Sequence, residues 1–210
     1  MKQIKTAAIL LGVFMLLLGV VYPLVVTGLA QALFPFRANG SMVRSSLDRS
    51  SEDKGTKNEE PGNDERYLGS KLIGQSFSGP GYLHGRPSDC GYDAAGSGSA
   101  NLGPSNPVLF RLVQARIDSV RAENGLDKTA SVPADLVLSS ASGLDPDISP
   151  AAAMLQIVRV AHARNVEPAV VRRLVDLNTH RPLLGLFGPS FVNVLKLNLA
   201  LDSMSQGKFQ

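Results

Sequence analysis

From Thr6 to Phe36 the chain carries no charged side chain, a run of 31 residues bounded by Lys5 and Arg37. A helix rises about 1.5 Å per residue, so roughly 20 residues cross the hydrocarbon of a bilayer. The run is long enough to span, and the rest of the chain has no comparable run. A secretory signal has an apolar stretch of about 7–15 residues, whereas about 24 apolar or neutral residues precede the A-x-A site at Ala30-Gln31-Ala32. The pattern predicts a retained anchor. Lys2, Lys5 and the terminal amine precede it, and the positive-inside rule then places the N-terminus in the cytoplasm and the remainder outside. Pro23 removes one backbone bond and should kink the helix. Phe34 and Phe36 fall where an outer aromatic belt belongs. Ala8, Gly12 and Gly19 form a candidate helix-packing face, because small residues let a second helix approach closely in lipid.

Polar patterning changes sharply after the anchor. Residues 45–66 hold seven acids, five Ser or Thr and one apolar residue, and such a stretch is expected to be a disordered insertion. Tyr67–Phe77 alternates loosely and predicts a short strand with Leu72 and Ile73 buried. Gly74–Pro107 is rich in glycine and proline but also holds Phe77, Tyr82, His84, Arg86 and Tyr92. It is expected to be an ordered, irregular surface. Asn106-Pro107 starts a helix with the stripe Leu109, Leu112, Val113, Ile117 and Val120, closed by Asn124-Gly125. Ser149-Pro150 starts a second, with Met154, Ile157, Val158 and Ala161 inward and Arg159 and Arg164 outward. Pro168 opens a third, with Val171, Leu174 and Val175 inward. Ser131–Asp147 reads as a short strand and a turn. Phe191–Leu201 fits strand alternation and helical spacing equally well. The expected fold class is α+β: one N-terminal transmembrane helix (residues 1–36) followed by a single small extracytoplasmic domain (37–210).

Composition narrows the chemistry. The net charge of +3 is mixed along the chain without a basic cluster, which argues against nucleic acid. The single cysteine, Cys90, permits no intramolecular disulfide and reads as a loop thiol rather than a nucleophile. His84, His162 and His180 lack ligand spacing, so no metal site is expected. No nucleophile elbow, phosphate loop or paired-carboxylate signature occurs. An anchored hydrolase or binding protein would need such a cluster.

Several phrases, taken in order, resemble the C subunit of the bacterial Kdp potassium-transporting ATPase. They include Tyr22-Pro23-Leu24, Phe34-Pro35-Phe36-Arg37-Ala38-Asn39-Gly40-Ser41, Ile73-Gly74-Gln75-Ser76-Phe77 and Tyr82-Leu83-His84-Gly85-Arg86-Pro87-Ser88. Ser99–Pro107, Ser140–Pro150 and Val192–Asp202 continue the resemblance, and residues 45–66 and Asp89-Cys90 depart from it. The resemblance implies a non-catalytic, single-pass subunit of the inner membrane. Its implied partners are a channel-like potassium-binding subunit, a catalytic P-type ATPase subunit and a small membrane subunit. It implies no tightly bound cofactor, with ATP reached through the complex. The family description has this subunit assist assembly and raise the ATP affinity of the catalytic subunit, with Gln75 as the nucleotide contact. An outward domain fits a different role, a cap over the potassium entrance without nucleotide contact.

Overall fold

The computed structural model describes residues 2–44, 67–182, 185–186 and 188–205; the acidic insertion expected at 45–66 lies outside them. Two compact units result, Met1–Ser70 and Lys71–Gln210.

The first unit begins with one continuous helical rod. Helix α1 (Lys2–Leu16) passes through a π turn (Leu17–Val21) into α2 (Tyr22–Leu33). The rod is long and apolar enough to cross a membrane, and none of it is buried in protein. The π turn has a local cause. Pro23 has no N–H, and Tyr22 N–H reaches back five residues to Leu17 O. The extra residue rotates α2 by about 100° relative to α1. Ala8 and Gly12 share one face, Gly19 lies within the π turn, and the expected packing face does not run straight through it. Ala8 is exposed, and a Cβ at Gly12 or Gly19 would meet no other group within 4 Å. The rod ends at Leu33 because Phe34 precedes a proline and leaves the helical region, at φ −138° and ψ 52°. A four-residue helix, α3 (Pro35–Ala38), and a two-stranded antiparallel pair, β1 (Met42–Arg44) with β2 (Tyr67–Ser70), complete the described residues of the unit.

The second unit has a three-stranded antiparallel sheet in the order β3 (Asp147–Ile148), β5 (Phe191–Asn193), β4 (Thr179–His180). Ile148 and Thr179 both face Val192 across the ladder. Helices α5 (Pro150–Leu155), α6 (Ile157–Arg164), α7 (Pro168–Asn178) and α8 (Val194–Ser205) enclose an apolar core centred on Ile157, Val160, Val175, Val192 and Leu197. Helix α4 (Pro107–Glu123) lies at its edge. Asn106 Oδ1 accepts from Val108 N–H, as a cap should, and Gly125 takes φ +62° after the last turn. The expected α4 stripe is half-buried throughout.

The α+β class holds, with differences in detail. The strand after the insertion covers only Tyr67–Ser70, and Leu72 is 60% exposed because the chain turns there instead of continuing the ladder. The second helix breaks at Gln156, where Gln156 N–H takes Ala153 O in a tightened turn. The break resets the buried face: Val160 is fully enclosed and Val158 is 64% exposed. Ser131–Asp147 forms a 3₁₀ turn, Ala134–Leu136, and reaches the sheet only at its last residue. The ambiguous Phe191–Leu201 is both elements, strand to Asn193 and helix from Val194.

Candidate functional site

The loop between Gly74 and Pro107 is the most distinctive surface of the second unit. It contains only one short 3₁₀ turn, Ala94–Gly96, so its backbone groups need partners other than a ladder. Two buried side-chain amides supply them. Asn198 accepts from Leu83 N–H at 2.8 Å and donates to Leu83 O at 3.0 Å. Gln156 accepts from His84 N–H at 2.8 Å and donates to His84 O at 3.1 Å. Each amide mimics a neighbouring strand for one residue. Leu83 is thereby fully enclosed in the core although it lies in a loop.

Two arginines hold the preceding turn. Arg159 donates to Pro80 O at 2.7 Å, Tyr82 O at 3.0 Å and Gln156 Oε1 at 2.8 Å. Arg164 donates to Gly81 O at 2.5 Å and Asp202 at 2.8 Å, and its guanidinium lies 4.8 Å from the centre of the Tyr82 ring. Both were expected to face outward. Their half-buried placement is a correction, and its cause is that the loop presents free carbonyls only a multidentate donor can satisfy.

His84 joins this framework. Its Nε2 lies 3.2 Å from Gly79 O, which only an N–H can satisfy, and its Nδ1 lies 3.4 Å from Glu123 Oε2. Burial, followed by the Arg159 charge, holds the imidazole below its ordinary value. Clefts of about 190 and 420 Å³ share His84 and Glu123 in their walls.

The far end of the loop is gathered on Asp89. Its carboxylate accepts from Ser139 Oγ at 2.7 Å, Arg116 Nη2 at 3.0 Å and Ala100 N–H at 3.1 Å. The Ser139 bond is the main reason that its pKa falls to about 2 from 3.8. Cys90 packs beneath, its Sγ 3.3 Å from Ser88 Oγ. Gly143 sits against it at φ +69°, where a Cβ would lie 2.6 Å from Cys90 Sγ and 2.7 Å from Gly98 O. The cysteine is therefore a packed, half-buried thiol.

Gln75 occupies a separate slot. Gly74 N–H donates to Leu144 O at 2.7 Å, and a Cβ on Gly74 would come within 2.7 Å of Asp145 O. Asp145 is in turn paired with Arg86 at 2.9 Å. The slot is lined by Ile73, Gly85, Tyr92, Pro146 and the start of α8, and it has no room for a water molecule. That helix start was not foreseen beside the glycine-rich stretch. Two of its first-turn donors are engaged, Val194 N–H with Pro146 O at 3.0 Å and Lys196 N–H with Asn193 Oδ1 at 3.1 Å. Neither donor is available to a phosphate.

Gln75 lines neither of the clefts walled by His84 and Glu123, and Ala8, Gly12 and Gly19 belong to the other unit. Gln156, Asn198, Arg159, Arg164 and Asp89 are the residues that the sequence pattern did not single out. A signal existed for Asn198, an amide set between leucines in an apolar run. Asp89 carried none.

Comparison with known proteins gives one consistent result. Residues 4–203 match the family described as K+-transporting ATPase, c chain. A potassium-transporting ATPase KdpC subunit of Polaromonas naphthalenivorans is 48% identical over 97% of this chain and 96% of its own length. The corresponding subunit of Geobacter sulfurreducens is 45% identical over 97% of this chain and 99% of its own length. That of Nitratidesulfovibrio vulgaris is 48% identical over 89% and 87%, respectively. The chain belongs to the KdpC family, the c chain of the K+-transporting ATPase.

Proposed function

We propose that this chain is a non-catalytic, single-pass subunit of an ATP-driven potassium uptake pump of the inner membrane. Its N-terminus is cytoplasmic and its second unit extracytoplasmic. It assembles with the channel-like, catalytic and small membrane subunits. It clamps the complex and caps the potassium entrance, without itself contacting nucleotide. The observation that supports the last point is the slot around Gln75, which is too narrow for water and borders two helix donors already engaged. The orientation rests on Lys2 and Lys5 before the uncharged run. Any effect on ATP affinity then acts at a distance, through the conformations that assembly favours.

The test uses the purified complex and a photoreactive ATP analogue. The catalytic subunit should be labelled and this chain should not. Gln75→Ala should leave the KM for ATP within about twofold. Labelling of this chain that is lost in Gln75→Ala would establish direct contact instead.

A further inference from the structure

The end of the membrane-spanning rod carries an apolar surface that the pump's activity does not explain. Thr6–Leu33 measures about 42 Å as a helix, against about 30 Å of bilayer hydrocarbon. The excess tilts or enters the interfacial layer, so α3 and the β1–β2 pair begin within that layer. These elements are fixed to the end of the rod. Gln31 and Asn39 exchange two amide hydrogen bonds, at 3.2 and 3.3 Å, and Asn39 also donates to Pro35 O at 2.8 Å. Ser41 N–H returns to Phe36 O at 2.9 Å, and Ser70 Oγ ties β2 to Gly40 O at 2.6 Å. These bonds satisfy several polar groups of the turn internally, which lowers the cost of facing lipid.

What this fold presents outward is apolar. Phe34, Phe36 and Tyr67 are each more than half exposed. Beside them a cleft of about 560 Å³ is walled by Pro35, Phe36, Met42, Val43 and Tyr67, with Asn39 at one side. Arg37 is the exposed cation of α3. Aromatic rings together with one basic group, continuous with a spanning helix, match the bilayer interface: rings at headgroup depth and a guanidinium at the phosphates.

We propose that α3 and the β1–β2 pair form an interfacial wing, with a phospholipid acyl chain of the adjoining leaflet filling the cleft. A spanning helix by itself would place only a ring of side chains in this layer. The wing adds a lateral foothold that resists rotation of the rod about its axis.

The chain has no tryptophan, so a single introduced indole is an unambiguous reporter. Phe36→Trp and Tyr67→Trp, each in the full chain in phosphatidylcholine vesicles, should be quenched by lipids brominated near the headgroup end of the acyl chain. Phe14→Trp, within the rod, should be quenched by deeper bromines. Absence of quenching at both 36 and 67, with Phe14→Trp quenched, would overturn the wing. A photoreactive phenylalanine at 36 or 67 in membranes holding the assembled pump should give a phospholipid adduct. A polypeptide adduct at both positions would assign the surface to protein and overturn the proposal equally.

Discussion

Asn198→Leu is expected to destabilise the second unit strongly. The leucine keeps the branched shape but leaves Leu83 N–H and C=O without partners in a site 1% exposed at Asn198 and fully closed at Leu83. Each orphaned buried group costs about 1–3 kcal/mol. The pair then costs about 2–6 kcal/mol, against a total stability of about 5–15 kcal/mol for an ordinary domain. At about 2–4 °C per kcal/mol for a unit of this size, the midpoint should fall by roughly 4–24 °C. Leu83→Ala, which keeps both backbone bonds, supplies a comparison for lost packing alone. Thermal unfolding followed by circular dichroism reads both. A midpoint for Asn198→Leu within about 2 °C of the parent would mean that water or a shifted loop satisfies Leu83.

Gly143→Ala should cost nearly as much for a different reason. At φ +69° an L residue is strained by about 1–2 kcal/mol. Its Cβ would also press into Cys90 Sγ at 2.6 Å and Gly98 O at 2.7 Å, and overpacking of this kind costs about 1–3 kcal/mol. The sum is about 2–5 kcal/mol. Gly125→Ala separates the two causes, because Gly125 has φ +62° and nothing within 4 Å of the added carbon. It should lose only the conformational part. Equal losses for Gly125→Ala and Gly143→Ala in urea unfolding would remove the clash with Cys90 from the explanation.

The legible parts of this chain were those fixed by local rules. The long apolar rod followed from the absence of charge over 31 residues. The start and end of α4 followed from Asn106-Pro107 and Asn124-Gly125, because a cap is a contact between near neighbours in sequence. The three inward positions of α7 followed from period alone and are all buried. What failed depended on distant partners. Val158 fell on the wrong face because the helix breaks at Gln156, whose amide is drawn to the loop 72 residues earlier. Arg159 and Arg164 looked like solvent charges because the carbonyls they serve lie in that same loop. Phe191–Leu201 read as two structures because it contains both, divided where Asn193 caps α8.

The site divides in the same way. Gln75 was visible through a family phrase, and Gly74 beside it through composition. That its slot closes against Pro146 and α8 required the fold. Asp89, at first a departure from the family phrase, anchors the loop to α4 through Arg116.

The most direct test concerns which side of the membrane the second unit occupies. In a Cys90→Ser background, one cysteine is placed at Leu177, which is 72% exposed, and in a separate chain one at Gln3, before the span. Intact spheroplasts are treated with a membrane-impermeant maleimide. An outward domain predicts labelling at position 177 at once and at position 3 only after permeabilisation. Labelling of position 3 in intact spheroplasts, with position 177 protected until permeabilisation, would contradict it and return the domain to the compartment that holds ATP.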